Sequence, residues 1–330
     1  MYASTPSTGP SDQAEGRIVQ VAAGVISDGQ GRILITKRPD DVHQGGLWEF
    51  PGGKLERGES VEQALARELD EELGIRVTRS RPLIRLSHDY GDRQIVLIIR
   101  RVLAYKGAPQ GREGQALDWV SPDAMDPSRF PAADRPVISA LRLPSRYLIS
   151  GVKPVATTPF IARLEQVLDG TRVGGVQLRA PWLDDVQYAV LAERCAPICE
   201  KAGALLLLNR DPAVAMQLPG DGLHLTESRL SALTARPKGD HRLIGASCHD
   251  AASLARAGRL GLDYALLSPV CRTTSHPSAE PLGWRRFAEL VAPASLPVYA
   301  LGGVGEDALD AAWEHGAQGV AGIRGFWDIQ

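Results

Sequence analysis

The chain has 330 residues, a length that predicts two domains of ordinary size. Hydrophobic residues make up 44% and charged residues 23% of the sequence, which is typical of a folded protein and excludes a chain disordered throughout. The 37 basic and 39 acidic residues give a formal net charge of −2, which argues against duplex nucleic acid as a partner, because that partner is bound through a large basic surface.

No run of about 18 apolar residues occurs, so the sequence predicts no membrane span. Residues 1–16 are rich in Ser, Thr, Pro and Gly and lack the apolar core of a signal peptide, so we predict a disordered tail there. The expected location is therefore the cytoplasm. In that compartment four cysteines should stay reduced, and they are Cys195, Cys199, Cys248 and Cys271.

Apolar runs separated by turn signals predict the elements of a first domain over residues 17–143. Ser60 and Gln63 are placed as a capping box at the start of a helix, and Gly74 suits its C-terminal end. The predicted strands cover 19–26, 33–37, 95–105 and 116–120, and the predicted helices cover 60–73 and 135–141.

The second domain, predicted over residues 146–330, has a different rhythm, in which short apolar runs alternate with helical segments. Repeated alternation of strand and helix predicts a parallel sheet, and eight such units predict a closed (βα)8 TIM barrel. Because the segment is short for that barrel, several helices must be brief. The apolar runs cover 147–150, 175–178, 204–208, 222–225, 243–246, 265–267, 298–301 and 319–323.

The strongest chemical signal lies in the segment 53–75. There Glu68, Glu71 and Glu72 stand at i, i+3 and i+4, so a helix places them in one stripe beside its apolar face. Three carboxylates held close together and partly out of water repel one another, and a hard divalent cation with oxygen ligands relieves that repulsion. The alternative is a solvated acidic helix face that pairs with Arg67.

The same segment matches the Nudix box, G-x5-E-x7-R-E-U-x-E-E-x-G-U with U apolar, at every fixed position. The resemblance implies an α/β/α sandwich with a mixed sheet and hydrolysis of a phosphoric anhydride with Mg²⁺, Mn²⁺ being a second candidate. It assigns metal binding to Glu68, Glu71 and Glu72, of which Glu72 is the expected direct ligand and Glu68 either a ligand or the general base. It also places the Gly52 carbonyl near the metal and makes Glu113 a further catalytic carboxylate on a loop.

Beyond the box, residues 17–143 resemble the MutT subgroup, which removes pyrophosphate from oxidised guanine nucleoside triphosphates. The stretches 35–38, 48–54, 112–115 and 130–138 and the residue His43 carry this resemblance. It implies substrate contacts by Arg38, His43, Glu49, Phe50, Pro51, Gly52 and Asp134.

Asp134 departs from the subgroup pattern, because the member that reads 8-oxoguanine has asparagine there. Asparagine both donates and accepts, whereas ionised aspartate only accepts. Two alternatives stay open: Asp134 caps the helix that follows it, and Arg38 with His43 forms a surface pair.

Residues 146–330 are similar to thiamine-phosphate synthase and its relative TenI. The stretches that carry the similarity are 147–149, 176–179, 221–225, 245–249, 268–270, 300–304 and 319–323. The similarity implies that the barrel binds phosphate at the ends of its strands, and the alternative is a set of tight turns without a ligand. The implied contacts are Arg179, Gly302, Gly303, Gly322 and Ile323.

The barrel departs from the synthase at the positions that bind its metal. The two magnesium aspartates of the synthase fall at Arg210 and near Arg229, and two of its lysines fall at Pro181 and His276. An arginine binds phosphate but repels a cation. We therefore expect ligand binding without synthase activity.

The leading hypothesis is a Mg²⁺-dependent pyrophosphohydrolase that acts on a nucleoside triphosphate, 8-oxo-dGTP in the first place, with a barrel that binds a phosphorylated small molecule. One alternative is a Nudix enzyme acting on a thiamine-pathway diphosphate. Two others concern the barrel, which is either an active synthase-like domain or a non-catalytic binding or interaction module.

Overall fold

The computed structural model describes residues 17–42, 44–89, 93–151, 157–238, 243–273 and 279–327. The predicted tail, His43 and His276 lie outside these ranges. Across the described ranges, no helix combines the length and the apolar character that a membrane crossing needs.

The N-terminal region contains a mixed four-stranded sheet and an antiparallel three-stranded sheet. The four-stranded sheet has the order β4-β1-β6-β5, with β1 parallel to β6, and the smaller sheet has the order β3-β2-β7. One apolar cluster packs α1 on the strands and another packs α2, which confirms the predicted α/β fold with a mixed sheet. The elements are β1 (Arg17–Ile26), β2 (Ile33–Lys37), β3 (Trp48–Glu49), β4 (Gly52–Lys54), α1 (Val61–Leu73), β5 (Arg76–Asp89), β6 (Arg93–Lys106), β7 (Leu117–Val120) and α2 (Arg135–Arg142).

Helix α1 has the ends that the sequence predicts. The Ser60 hydroxyl accepts from the Gln63 N–H, and the Gln63 side chain accepts from the Ser60 N–H, so the capping box is complete. Gly74 ends the helix with φ 70°, a left-handed conformation that suits glycine. Between these ends the helix buries Leu65, Leu69 and two further apolar side chains against the sheet, which leaves the acidic stripe on a neighbouring face.

The largest departure from the prediction is β5, a strand of 14 residues that the apolar pattern did not reveal. It pairs with β6 along most of its length and buries Leu83, Ile84 and Leu86. Its arginines break the regular alternation of apolar and polar residues, and three register shifts interrupt its pairing. The short strands β3 and β4 also escaped prediction because they have two and three residues.

The C-terminal region is a closed parallel barrel of eight strands, as predicted. Several of its helices have only four or six residues, which accounts for a barrel on so short a chain. The four cysteines are free thiols. The elements are β8 (Arg146–Ile149), α3 (Thr157–Gly170), β9 (Gly175–Leu178), α4 (Asp185–Lys201), β10 (Leu205–Leu208), α5 (Pro212–Ala215), β11 (Gly222–Leu225), α6 (Glu227–Ala232), β12 (Leu243–Cys248), α7 (Ala251–Arg259), β13 (Tyr264–Leu267), α8 (Gly283–Val291), β14 (Val298–Leu301), α9 (Leu309–Glu314), β15 (Gly319–Gly322) and α10 (Arg324–Trp327).

The two regions contact each other directly. The guanidinium of Arg81 on β5 lies over the ring of Trp313 on α9, 3.8 Å from the ring centre. The Gln318 amide donates to the carbonyls of Ala140 and Leu143 at 2.9 and 3.0 Å. These contacts attach the barrel to the side of the N-terminal region that carries β5 and α2.

Candidate functional site

Glu72 is, like Glu68, a half-buried member of the acidic stripe on α1. Its Oε2 accepts a hydrogen bond from the Gly52 N–H at 3.0 Å, which joins the helix to strand β4. Burial, and after it the negative charges of Glu49, Glu68 and Glu113, raise the pKa of Glu72 to about 8. The site therefore concentrates negative charge around one carboxyl group that water does not fully solvate.

Arg67 holds the other carboxylates of the stripe in place. Its Nε and Nη2 donate to both oxygens of Glu59 at 3.0 and 2.9 Å, while its Nη1 donates to Glu68 at 2.9 Å and Glu71 at 3.2 Å. Arg67 also donates to the Lys54 carbonyl at 3.1 Å, which fixes the loop before the helix. The ion pair of Glu59 with Arg67 joins the loop before α1 to the helix, whereas none of these bonds reaches Glu72.

The two glycines of β4 let the strand approach the helix closely. A Cβ on Gly53 would lie 2.2 Å from the carboxyl carbon of Glu68, and a Cβ on Gly52 would lie 2.2 Å from the Ala22 carbonyl oxygen. Gly52 also has φ 146°, which side chains rarely allow. Glycine at these positions therefore sets where Glu68 and the Gly52 backbone lie.

Glu113 lies on the loop that the sequence predicted. Its neighbour Arg112 donates its N–H to the Glu72 carbonyl at 2.9 Å, and the Gln115 amide donates to the same carbonyl at 3.1 Å. Gln115 also accepts from the Glu113 N–H at 2.9 Å. The loop is thus bound to the C-terminal end of α1, and the exposed Glu113 carboxylate contributes to the charge around Glu72.

The donor chemistry of this site fits a divalent cation. Glu68, Glu71 and Glu72 offer hard carboxylate oxygens, and a cation would relieve the repulsion that raises the pKa of Glu72. Nevertheless, no three acidic, histidine or cysteine side chains converge into a complete metal site within the described part of the chain. Glu71 is the most exposed of the three, with 57% of its side chain accessible.

Of the substrate residues predicted from the resemblance, Glu49 lies close enough to the acidic stripe for its charge to act on Glu72. Arg38 and Glu49 form an ion pair through the Arg38 Nη1 atom, and about one quarter of each side chain is exposed. Phe50 is buried and stacks on Phe130 with ring centres 5.8 Å apart. Pro51 is buried as well, and its carbonyl accepts from the Gly24 N–H at 2.8 Å.

Asp134 lies at the start of α2 with only 8% of its surface exposed. Asp134 is the N-cap residue of this helix, as the alternative interpretation has it, but its side chain makes no capping hydrogen bond. Burial, and after it the charge of Glu49, raise the pKa of Asp134 to about 7, although Arg38 acts in the opposite direction. The negative charge of Glu49 thus raises the pKa of both Glu72 and Asp134. The acidic stripe and the predicted base-reading residue are therefore neighbours.

Comparison with known proteins gives two families for the two regions. A family model of thiamine monophosphate synthase matches residues 146–326, and a Nudix-domain model matches residues 22–140. An 8-oxo-dGTP diphosphatase of Escherichia coli strain K12 is 40% identical over 124 residues, which cover 38% of this chain and 96% of the relative. The chain belongs to both families. Its N-terminal region is a Nudix hydrolase, a class that acts on phosphoric anhydrides.

Two further relatives, one for each region, carry other names. A CTP pyrophosphohydrolase of Escherichia coli strain K12 is also 40% identical over 124 residues, covering 38% of this chain and 91% of the relative. A protein of Aquifex aeolicus strain VF5 that carries the provisional name thiamine-phosphate synthase 2 is 34% identical over 187 residues. That match covers 56% of this chain and 99% of the relative.

The synthase-family barrel forms tight turns where phosphate binding was predicted. Gly302 and Gly303 follow β14 with φ 94° and 66°, and a Cβ on Gly303 would lie 2.4 Å from the Arg272 carbonyl oxygen. Gly322 ends β15 and is followed by the half-buried Ile323. Arg179 is exposed at the end of β9. The structure thus brings these residues to the carboxyl ends of the strands, where barrels bind their ligands.

The two arginines that the resemblance places at or near the metal-binding positions of the synthase, Arg210 and Arg229, have different partners. Arg210 donates to Asp185 at 2.7 Å and to the Leu183 carbonyl at 2.9 Å, so its charge is paired at the start of α4. Arg229 donates to the Asn209 side chain at 3.3 Å. The charge of Arg210 is therefore partly balanced by Asp185, whereas Arg229 has a neutral partner in Asn209.

The barrel interior holds a polar chain that the sequence interpretation did not identify. The hydroxyls of Tyr147 and Tyr264 lie 2.9 Å apart, Tyr264 lies 3.2 Å from His224 Nδ1, and His224 Nε2 lies 2.9 Å from the Ser247 hydroxyl. Burial, followed by the charge of Arg179, lowers the pKa of His224 to about 3, so its ring is neutral. Alternate residues of a barrel strand face inward, and this alternation is the signal that could have located the chain.

Proposed function

We propose that the N-terminal region hydrolyses a nucleoside triphosphate to the monophosphate and pyrophosphate with the help of Mg²⁺, and that 8-oxo-dGTP is its preferred substrate. The observation that carries the proposal is the position of Glu49 between two groups. The negative charge of Glu49 raises the pKa of Glu72 in the acidic stripe and the pKa of Asp134 beside Phe50 and Phe130. The proposed phosphate-activating site and the proposed base-reading site are therefore adjacent, as this reaction requires.

The residues divide the chemistry between them. Glu68, Glu71 and Glu72 would hold the cation, and a cation bound there would neutralise negative charge on the phosphates and orient a water molecule. Arg38 contacts the phosphate or the sugar through its guanidinium. Glu68 or Glu113 accepts the proton of the attacking water as general base. Phe50 and Phe130 provide an apolar wall for the base.

CTP is the second candidate substrate, and a specific observation favours it. An ionised Asp134 would accept a hydrogen bond from the exocyclic amino group of cytosine, which is a recognised pairing for a carboxylate. A relative that hydrolyses CTP by name is as similar to this chain as the Escherichia coli 8-oxo-dGTP diphosphatase. A thiamine-pathway diphosphate remains a third candidate because the barrel belongs to the synthase family.

Hydrolysis of these substrates by the full chain with magnesium tests the proposal. We expect the highest kcat/KM with 8-oxo-dGTP, followed by dGTP and CTP. Turnover of the pyrimidine diphosphate of the thiamine pathway should be slow. A clear preference for the pyrimidine diphosphate would contradict the proposed substrate class. A clear preference for CTP would replace 8-oxo-dGTP by the second candidate.

Replacing Asp134 by alanine is expected to raise KM for 8-oxo-dGTP more than KM for inosine triphosphate, which lacks the oxidised edge. Loss of one good base contact is worth about 1–3 kcal/mol, or roughly 5- to 150-fold in KM. Steady-state kinetics with Asp123→Ala, which truncates an exposed carboxylate before α2, provides the matched control. Equal changes of KM on both nucleotides would exclude a base-reading role for Asp134.

We propose for the barrel that it binds a phosphorylated small molecule at Arg179, Gly302, Gly303, Gly322 and Ile323 and lacks synthase activity. Two observations support this proposal. The tight glycine turns and Arg179 stand together at the carboxyl ends of the strands. In addition, the resemblance places Arg210 at one magnesium-binding aspartate of the synthase and Arg229 near the other.

Calorimetry on the full chain in a Glu72→Gln background, without magnesium, tests barrel binding separately from hydrolysis. We expect thiamine phosphate or inorganic phosphate to bind, and Arg179→Ala to weaken that binding, because it removes a guanidinium from the site. Pyrimidine diphosphate and thiazole phosphate together should yield no thiamine phosphate. Metal-dependent formation of thiamine phosphate would contradict the loss of synthase activity, and the absence of any phosphate binding would leave the barrel as a structural or interaction module.

A further inference from the structure

The surroundings of Asp134 are those of a neutral group rather than a carboxylate. Phe130 and Ala133, which precede it, are buried, and so is Phe50 across the site. Across the described residues, neither an N–H nor an O–H group donates to its side chain, although its backbone N–H donates to Pro131 and its carbonyl accepts from Val137. A carboxylate in such a place would lack the hydrogen bonds that stabilise buried charge.

The charge balance around Asp134 leads to the same conclusion. Two carboxyl groups, Glu49 and Asp134, share the influence of one guanidinium, that of Arg38. Burial raises the pKa of Glu49, whereas its ion pair with Arg38 lowers that pKa and favours the ionised form of Glu49. Among the charges that act on Asp134, Arg38 is the positive one, while Arg129 lies over the Trp48 ring and Arg135 is exposed. When Asp134 is protonated, Arg38, Glu49 and Asp134 together carry no net charge.

We propose that Asp134 reads the nucleobase as a neutral carboxylic acid, which donates a hydrogen bond from one oxygen and accepts one at the other. The acid then offers the same donor and acceptor pair as the amide of an asparagine. This inference rests on the proposed function and names the form of the residue that selects the substrate. The pKa of about 7 that burial and Glu49 give to Asp134 means that the acid and the carboxylate exchange near neutral pH.

The two forms of Asp134 recognise different edges of a purine. Guanine presents two acceptors, N7 and O6, in its major-groove edge. Oxidation at C8 places a hydrogen on N7, so the edge of 8-oxoguanine offers an acceptor at O6 beside a donor at N7. A neutral acid donates to O6 and accepts from N7–H, whereas on guanine it leaves one acceptor unpaired. A carboxylate accepts from N1–H and the amino group, which both bases carry, and so does not distinguish them.

Selectivity should therefore fall as Asp134 loses its proton. The measurement is the ratio of kcat/KM for 8-oxo-dGTP to kcat/KM for dGTP on the full chain, because groups that act equally on both substrates, such as the metal ligands, cancel in the ratio. With a pKa near 7, the ratio for the wild type should decrease by roughly tenfold between about pH 6 and about pH 8. Asp134→Asn should keep a high ratio across that range, since its amide does not titrate.

For Asp134→Ala we expect a low ratio of kcat/KM for 8-oxo-dGTP to kcat/KM for dGTP at every pH. A wild-type ratio that stays constant with pH, or one that falls equally in Asp134→Asn, would overturn the inference while leaving the proposed function intact. Calorimetric affinities for the monophosphates of the two bases, measured over the same pH range without metal, should show the same pattern. Absence of both turnover and selective binding at every pH would contradict the proposed function, and the inference with it.

Discussion

Replacing Glu72 by glutamine is expected to lower kcat by about a hundredfold or more, which is the scale of lost metal-assisted catalysis. The substitution keeps the shape of the side chain and its hydrogen bond from the Gly52 N–H but removes the charge that would bind the cation. The fold should survive. The folded-state pKa of Glu72 is raised above its ordinary value, so the ionised form costs stability as pH rises towards 8, and a neutral glutamine avoids that cost.

Steady-state kinetics with magnesium and thermal unfolding without it provide the two readouts. Glu62→Gln is the matched control, because Glu62 lies on the same helix, is exposed and pairs with Arg100 instead of facing the acidic group. We expect the control to keep its turnover. Near-normal turnover of a folded Glu72→Gln protein would rule out Glu72 as the direct metal ligand.

Replacing Gly53 by alanine is expected to lower kcat by about tenfold to a hundredfold, because small displacements of a catalytic group carry costs of this size. The new Cβ would lie within 2.4 Å of all three carboxyl atoms of Glu68, so the carboxylate must move. The end of a flexible side chain moves at little cost, and the backbone of Gly53 is not in a conformation restricted to glycine. The melting temperature should therefore change little while turnover falls.

Gly29→Ala is the control for this substitution, since a Cβ on Gly29 meets no atom within 4 Å in the described residues and its φ is ordinary. Both variants are compared by kcat, by the magnesium concentration that gives half-maximal rate, and by Tm. We expect Gly53→Ala to need more magnesium as well. Unchanged kinetics in Gly53→Ala would show that the position of Glu68 does not matter for the reaction.

The elements that the sequence predicted best are those specified by local chemistry. The hydrogen bonds of Ser60 and Gln63 at one end of α1 and the left-handed Gly74 at the other depend on a few neighbouring residues. The barrel strands were equally accessible to prediction, because buried parallel strands are continuous apolar runs. Strand β5 was missed because arginines such as Arg79 and Arg85 interrupt its apolar pattern and its pairing with β6 is a long-range property.

In the candidate site, too, local features could be predicted from the sequence, whereas long-range contacts could not. The spacing of Glu68, Glu71 and Glu72 predicted their common face, since helix geometry alone determines it. The proximity of Glu49 to both Glu72 and Asp134 could not be predicted, because three separate elements carry these residues. The burial that raises the pKa of Asp134 depends on the packing of Phe50 and Phe130, and sequence spacing does not contain that information.

The most direct test of the account is hydrolysis of 8-oxo-dGTP by the full chain, with and without magnesium, followed by identification of both products. We expect magnesium-dependent turnover that yields 8-oxo-dGMP and pyrophosphate in equal amounts and that is faster than the turnover of dGTP. Release of inorganic phosphate alone, or turnover that is unaffected by removal of divalent cations, would contradict it.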